Sequence, residues 1–297
     1  MFSAQTIRLE ILHESAIPSE SLAVTTLGDE LFLLYGRLNE HYAINVYSRE
    51  NMTQVKKVIA LPGTDAEYMT GCNASNCIYI CLRERYCRPF SVFRISRDTE
   101  HKFNVSQWIN DGRLFIIAMN VSANGILAVL SFCVERYRVT HAINVYDADG
   151  RPTLQREIVL LADNNVFLYQ SIVQKSNGNI VLAYVGHRDF QQGLLEFDTR
   201  SGKVVRQFES SYEPTRESSV HLAGDNDRLM IVRSLEGIEL LDSELNLLGV
   251  CGLQKNQSKP LAFADLHYDC NRNEIACIYY DESTHRHVLS ILRFTEE

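Results

Sequence analysis

The chain has 297 residues, 45% of them apolar and 22% charged, with a formal net charge of −8. That composition is globular and soluble, and its acidic balance gives no general attraction to nucleic acid or to anionic membrane. The longest apolar stretches, 114–119 and 126–130, are too short to span a bilayer, and the opening MFSAQTIRLE lacks the basic and apolar regions of a secretory signal. A cytoplasmic protein without membrane contact is expected. Five Asn-x-Ser/Thr patterns, at Asn51, Asn73, Asn104, Asn120 and Asn256, keep secretion as the alternative.

In chain order, the first element is a strand-like run at residues 7–12. Units of four short apolar or β-branched runs follow, bounded by Gly, Asn, Asp and Ser. The first unit has runs at 22–26, 31–34, 44–47 and 55–60. The second has 68–71, 77–80, 92–95 and 102–105, and the third has 115–120, 126–129, 143–146 and 155–160. The fourth has 169–174, 180–183, 194–197 and 204–208, and the fifth has 220–223, 229–232, 238–241 and 247–250. The sixth has 263–267, 275–278 and 288–291, and the chain then ends without a fourth run.

The second runs of the units start 46, 49, 54, 49 and 46 residues apart. Four antiparallel strands per repeat of this length make a propeller blade. The predicted fold is therefore all-β: a six-bladed β-propeller with strands A to D per blade, counted outward from the axis. It is one domain over 1–297, with blades at about 20–61, 66–108, 113–161, 166–209, 217–251 and 260–294. The N-terminal strand, 6–12, is expected to complete the last blade and so remove its open edge. Polar stretches between strands A and B, such as Asn124-Gly125, predict tight hairpins.

Four stretches carry a family resemblance: Cys72-Asn-Ala-Ser-Asn-Cys-Ile-Tyr-Ile; Ile143-Asn-Val-Tyr-Asp-Ala-Asp-Gly with Gln155-Arg-Glu-Ile; Gly178-Asn-Ile-Val-Leu-Ala; and Ile238-Glu-Leu-Leu-Asp-Ser-Glu-Leu. The chain resembles NHL-like propellers, especially divergent six-bladed ones of invertebrate proteins. That resemblance implies a non-enzymatic recognition module. Such modules are often joined to RING and B-box zinc domains in ubiquitin ligases, and some bind RNA. Others in the wider six-bladed group are calcium-dependent lactonases or lyases. The segment after strand B departs from the family pattern, with Cys81-Leu-Arg-Glu-Arg, Tyr184-Val-Gly-His-Arg and Val232-Arg-Ser-Leu-Glu in its place.

The B–C connections share one face of a propeller with the D–A connections. Each carries an arginine: Arg37; Arg83, Arg85 and Arg88; Arg136 and Arg138; Arg188; Arg233; and Arg286. With Tyr86, Tyr137 and His187 they form a candidate binding face. The guanidinium fork suits carboxylates and phosphates, and Arg beside Tyr matches interface hot spots. Interleaved acids such as Glu40, Glu84, Glu135, Asp189 and Asp281 offer the alternative of local pairing. The expected ligand is a protein or peptide, acidic or mixed in charge. RNA is the first alternative, and a calcium-dependent hydrolase using Asp265, His267, His221, Glu67 and Asn120 on the innermost strands is the second. No catalytic residue, metal or cofactor is assigned. Cys72 and Cys77 flank a four-residue turn and could form a disulfide, although buried thiols are the preferred reading.

Overall fold

The computed structural model describes residues 5–36, 42–62, 65–73, 75–83, 91–97, 102–109, 115–122, 124–135, 138–158, 167–186, 192–210, 220–224, 228–233, 237–252, 262–269, 272–281 and 283–296. Among them there are strands and turns and no helix.

Strand β1 (Gln5–Ile17) is followed by a sheet of β2 (Ser21–Leu27), β3 (Glu30–Tyr35), β4 (Ala43–Ser48) and β5 (Asn51–Ala60). The next comprises β6 (Asp65–Cys72), β7 (Cys77–Arg83), β8 (Ser91–Arg97) and β9 (Phe103–Ile109). A third holds β10 (Phe115–Val121), β11 (Leu127–Glu135), β12 (Arg138–Tyr146) and β13 (Pro152–Ile158). The fourth holds β14 (Phe167–Gln174), β15 (Ile180–Gly186), β16 (Gln192–Phe197) and β17 (Val204–Glu209). The remaining strands are β18 (Val220–Gly224), β19 (Arg228–Arg233), β20 (Gly237–Asp242), β21 (Leu247–Gly252), β22 (Ala262–Asp269), β23 (Glu274–Asp281) and β24 (Arg286–Glu296). The molecule is a β-propeller of small antiparallel sheets.

Each expected run falls on a strand over most of its length; the runs at 102–105 and 126–129 each start one residue before their strands, β9 and β11, and the last two residues of the run at 155–160 lie outside the described residues. The sheet count differs from the expectation of six separate ones. Five sheets form, because β18–β19–β20–β21 and β1–β24–β23–β22 are continuous in one eight-stranded sheet. The cause is the length of β1, which is 13 residues where six or seven were expected. Its residues 7–17 pair antiparallel with β24, and its first two pair in parallel with β21, Gln5 with Gly249 and Thr6 with Val250.

The second strand of a sheet lies between two others and under neighbouring sheets on both faces, so its sequence is apolar throughout. Leu31, Phe32, Leu33 and Leu34 of β3 are all completely buried. The outer strand β5 keeps only Met52 and Ile59 buried among ten residues. Apolar clusters join neighbouring sheets. One holds Phe32, Leu34 and Ile44 against Ile78, Ile80 and Ile95. Others join the second sheet to the third and the third to the fourth. Leu241 and Leu245 pack on the fourth sheet, Ile238 and Leu240 on β22–β24, and Val24, Leu31 and Leu33 on β23 and β24. Along the inner strands, β2 lies beside β6, β6 beside β10, β10 beside β14, β14 beside β18, β18 beside β22, and β22 beside β2.

The hairpins between first and second strands turn through left-handed residues, among them Asn76 (φ 48°), Gly125 (φ 77°) and Asn273 (φ 55°). Asparagine tolerates that conformation better than most side-chain-bearing residues, which is why these polar turns are tight. At the opposite end, five inner strands carry a register shift against their partners, at Ser21/Ala23, Ala66/Met69, Ile116/Ala118, Tyr169/Ser171 and Phe263/Asp265. Such bulges bend a strand and re-aim its side chains. Here they all lie toward the face expected to carry the ligand.

Candidate functional site

Of the arginine-rich face, Arg37, Arg85, Tyr86, Arg88, Arg136, Tyr137, His187 and Arg188 lie outside the described residues. The backbones of Arg83 and Arg233 end β7 and β19, and that of Arg138 begins β12. All three therefore sit at the B–C end of their hairpins, where Arg286 begins β24. Arg286 has a described side chain, and it is exposed.

Around Arg286 the last hairpin and β1 form an open groove of about 380 Å³. Its lining is Glu14, Ser15 and Ala16 from β1, Asp281 and Thr284 from the hairpin, and Arg286 and Val288 from β24. Pairing explains the convergence: Ala16 lies opposite Val288, which lies opposite Tyr279, while Arg286 lies opposite Asp281. Strand alternation puts these rows on one face of the sheet. Val288, 8% exposed, is a buried apolar element of the groove, and the charged groups surround it.

The two carboxylates are held in place. Tyr279 donates its hydroxyl to Glu14 Oε1. Burial, reinforced by that carboxylate, pushes the Tyr279 hydroxyl well above its ordinary pKa, so it remains a donor. Asp281 Oδ1 accepts from the Ser283 amide at 2.9 Å and from its hydroxyl at 2.6 Å. His285, in a left-handed conformation (φ 52°), turns the hairpin, with Nδ1 3.3 Å from the Tyr280 hydroxyl. Among the described residues Arg286 forms no ion pair, although Asp281 is its register partner. The sequence singled out Arg286 and noted Asp281 as a neighbour. Glu14, far from them in sequence, comes beside them only through the pairing of β1 with β24.

The inner-strand candidates do not gather into a metal site among the described residues. Among the described residues no three His, Cys, Asp or Glu side chains gather around a common point. Glu67 is exposed on β6, Asn120 lies on β10, and His221 has only its backbone described, on β18. Asp265 and His267, on β22, bond to the first sheet. Asp265 Oδ2 accepts from the Val24 amide at 2.7 Å, and His267 Nδ1 lies 3.2 Å from Thr25 Oγ1. Burial pushes the Asp265 carboxyl up to about 7 against the Val24 and Leu266 amides, which favour its charge. Burial also pushes His267 down to about 4, a shift that nearby Asp269 opposes and Arg49 assists.

Of the two readings of Cys72 and Cys77, the disulfide does not form and the preferred one, buried thiols, is observed. Cys72 and Cys77 are opposite one another in register, yet both are free thiols, as are Cys81 and Cys277. Each has another partner: Cys72 Sγ lies 3.6 Å from the Ser122 carbonyl, and Cys77 Sγ lies 3.0 Å from both the Ser75 carbonyl and Arg94 Nε. Trp108, on β9, packs at 4.7 Å against Tyr79, as a packing role requires.

No protein-family model matches the chain, and no curated protein matches it either. Solved structures do resemble it. One is a structural-genomics target from Lactobacillus plantarum, 13% identical, with 93% of this chain and 88% of that one covered and a TM-score of 0.48. Another is Raptor of Chaetomium thermophilum, 12% identical over 99% of this chain, with a TM-score of 0.53. This chain spans 29% of the length of that Raptor chain. At these identities the likeness is one of fold alone.

Proposed function

We propose that the protein is a non-enzymatic binding scaffold, a six-bladed NHL-like propeller that recognises an acidic segment of a protein partner on its B–C face. The single observation that carries this reading is the groove beside Arg286, where a guanidinium without an ion-pair partner among the described residues stands next to buried Val288. Arginine at the edge of a partly apolar groove is the composition of an interface anchor. The six-blade count reads the eight-stranded sheet as two blades joined at their outer edges by a two-residue parallel contact. The cycle of inner-strand neighbours supports it. The cytoplasm is the proposed compartment.

Proximity labelling with the wild-type chain and with Arg286→Glu tests the binding reading. The expected result is a set of neighbours lost in the variant at equal abundance; an unchanged set overturns it. Deleting residues 1–15 tests the blade count: it removes the strand paired with β24, and a marked fall in melting temperature with aggregation is expected. An unchanged melting temperature would overturn it.

A further inference from the structure

We propose that Cys72 and Cys77, opposite one another across the hairpin of β6 and β7, form a two-thiolate site for a soft monovalent metal ion, of which copper(I) is the biological example. The site lies at the turn end of the second sheet, away from the B–C face, and does not depend on the binding reading above.

The two residues are register partners, so their side chains project on one face of the hairpin. Both thiols are buried in one apolar cluster with Tyr79, Met119, Leu127 and Val129. Both sulfurs also meet the same residue: the Ser75 amide donates to Cys72 Sγ at 3.5 Å, and Cys77 Sγ donates to the Ser75 carbonyl at 3.0 Å. Arg94 Nε donates to Cys77 Sγ at 3.0 Å. Each sulfur therefore has one N–H already aimed at it. Donors of that kind bond a charged acceptor more strongly than a neutral one, so both contacts gain when the thiols become metal-bound thiolates.

Distance and ligand number select the metal. Directly opposed residues of an antiparallel pair hold their Cβ atoms about 4.5–5.5 Å apart, whereas a disulfide wants about 3.8 Å. Two sulfurs bridged in line by one ion stand about 4.6 Å apart, twice a metal–thiolate bond of about 2.3 Å. The hairpin thus suits an inserted ion better than a direct S–S bond, in keeping with the free thiols. Zinc needs four ligands, and no third His, Cys, Asp or Glu joins the pair among the described residues. Copper(I) is soft, prefers thiolates and is satisfied by two in a linear arrangement. Loading replaces two S–H bonds with two S–Cu bonds and releases two protons; the ion stays copper(I), and no electron moves. The exposed turn residues Asn73 and Asn76 put solvent one residue from the thiols, while the apolar cluster shields the bound ion.

The test uses the full chain, reduced and kept from oxygen, titrated with copper(I) against bicinchoninate, a chelator whose copper complex is coloured. The wild type should hold one equivalent against the chelator. Cys72→Ser and Cys77→Ser should each lose it. Cys81→Ser, on the same strand as Cys77 but four residues along, should keep it. X-ray absorption of the loaded wild type, which needs no variant to fold, should show two sulfur neighbours around copper and no third. Failure of the wild type to hold copper overturns the proposal. Retention by either of the Cys72 and Cys77 variants, or a shell of three or more sulfurs, overturns it too, because the ion then sits elsewhere in the chain.

Discussion

The sheet of β2–β5 meets its two neighbours in different ways. Toward β6–β9 the contact is apolar along the strands: Ala23, Phe32, Leu34 and Ile44 pack on Met69, Ile78, Ile80 and Phe93, and the ion pair of Glu30 with Arg97 lies at the turn end. Toward β22–β24 an apolar layer of Val24, Leu31 and Leu33 against Ala276 and Ile278 is accompanied by a line of polar bridges. Asp265 takes the Val24 amide, and His267 meets Thr25. Arg49 binds both Asp269 and Glu274, and Arg272 reaches the Gly28 carbonyl and Asp29. Residues 265, 267 and 269 alternate along β22, so one face of that strand presents acid, imidazole and acid to the first sheet. The first seam is mainly packing, with Glu30–Arg97 and Tyr42–Asp65 among its polar pairs, and the other runs titratable groups along its length whose contributions depend on partners and on pH.

The largest expected effect comes from removing one partner of the polar seam. Arg49, Asp269 and Glu274 are 8%, 5% and 4% exposed, so Arg49→Met leaves buried carboxylates without their guanidinium. A loss of about 3–5 kcal/mol is the scale for breaking a buried pair, partly relieved at Glu274 by Arg293 and at Asp269 by Arg272. In the apolar seam Leu34→Ala should cost about 2–5 kcal/mol through the cavity it leaves. A second change separates the mechanisms. Adding Asp269→Asn and Glu274→Gln to Arg49→Met should recover much of the loss, because the uncompensated charges disappear. Denaturant midpoints measure both; no recovery in the triple variant would mean that the seam depends on shape rather than charge.

A smaller effect, with a definite sign, comes from Asp265 and His267. Asp265 holds its proton up to about pH 7 in the fold, whereas an unfolded Asp releases it near pH 4. Between those values the native state binds a proton that the unfolded chain lacks, so this group makes stability fall as pH rises from about 4 to 7. His267 is neutral in the fold above about pH 4 but protonated in the unfolded chain up to about 6.5, so it makes stability rise between those values. The two opposing slopes, each limited to about 1.4 kcal/mol per pH unit, nearly cancel in the wild type over the shared window. Asp265→Asn should therefore gain stability relative to wild type as pH rises from 4 to 7. His267→Asn should lose stability relative to wild type from pH 4 to 6.5. Urea titrations across that range read both, and parallel curves for wild type and variants would remove the pair from the account of this seam.

Much of this architecture was legible in the sequence, because buried second strands are continuous apolar runs and polar turns punctuate them at a near-constant spacing. Three features were not. The parallel contact of Gln5 and Thr6 with β21 depends on where a long strand happens to overhang, and two residues carry no periodic signal. The polar face of β22 is written as Asp265, His267 and Asp269 at alternate positions, yet a period of two gives a face without saying which neighbour it meets. Asp265 and His267 were noted as innermost-strand residues, but nothing in the sequence says that they bond to Val24 and Thr25 of the first sheet. At the site, Arg286 was visible because every B–C connection has an arginine. Glu14 became its neighbour only through pairing between the two ends of the chain, a contact of high sequence separation.

The smallest expected effect asks whether that distant pairing behaves like an ordinary outer strand. Tyr184 and Tyr279 occupy matching positions on β15 and β23, and each reaches across a third strand to the fourth. Tyr184 Oη accepts from Gln207 Nε2 at 3.2 Å on β17, passing Gly193, where a Cβ would come within 2.8 Å of the hydroxyl. Tyr279 donates to Glu14 on β1 and passes Val288. The first bond is neutral and the second is made to a carboxylate, so Tyr184→Phe should cost about 1 kcal/mol and Tyr279→Phe about 1.5–3 kcal/mol. Hydrogen exchange separates the local consequences. The amides of β17 should barely change in Tyr184→Phe, because the chain already ties that strand to its sheet. Those of β1 should exchange faster in Tyr279→Phe, because β1 is covalently joined to the first sheet and reaches β24 through noncovalent contacts alone. Equal protection of β1 and β17 in the two variants would mean that the ladder to β24 holds the strand without help from Tyr279.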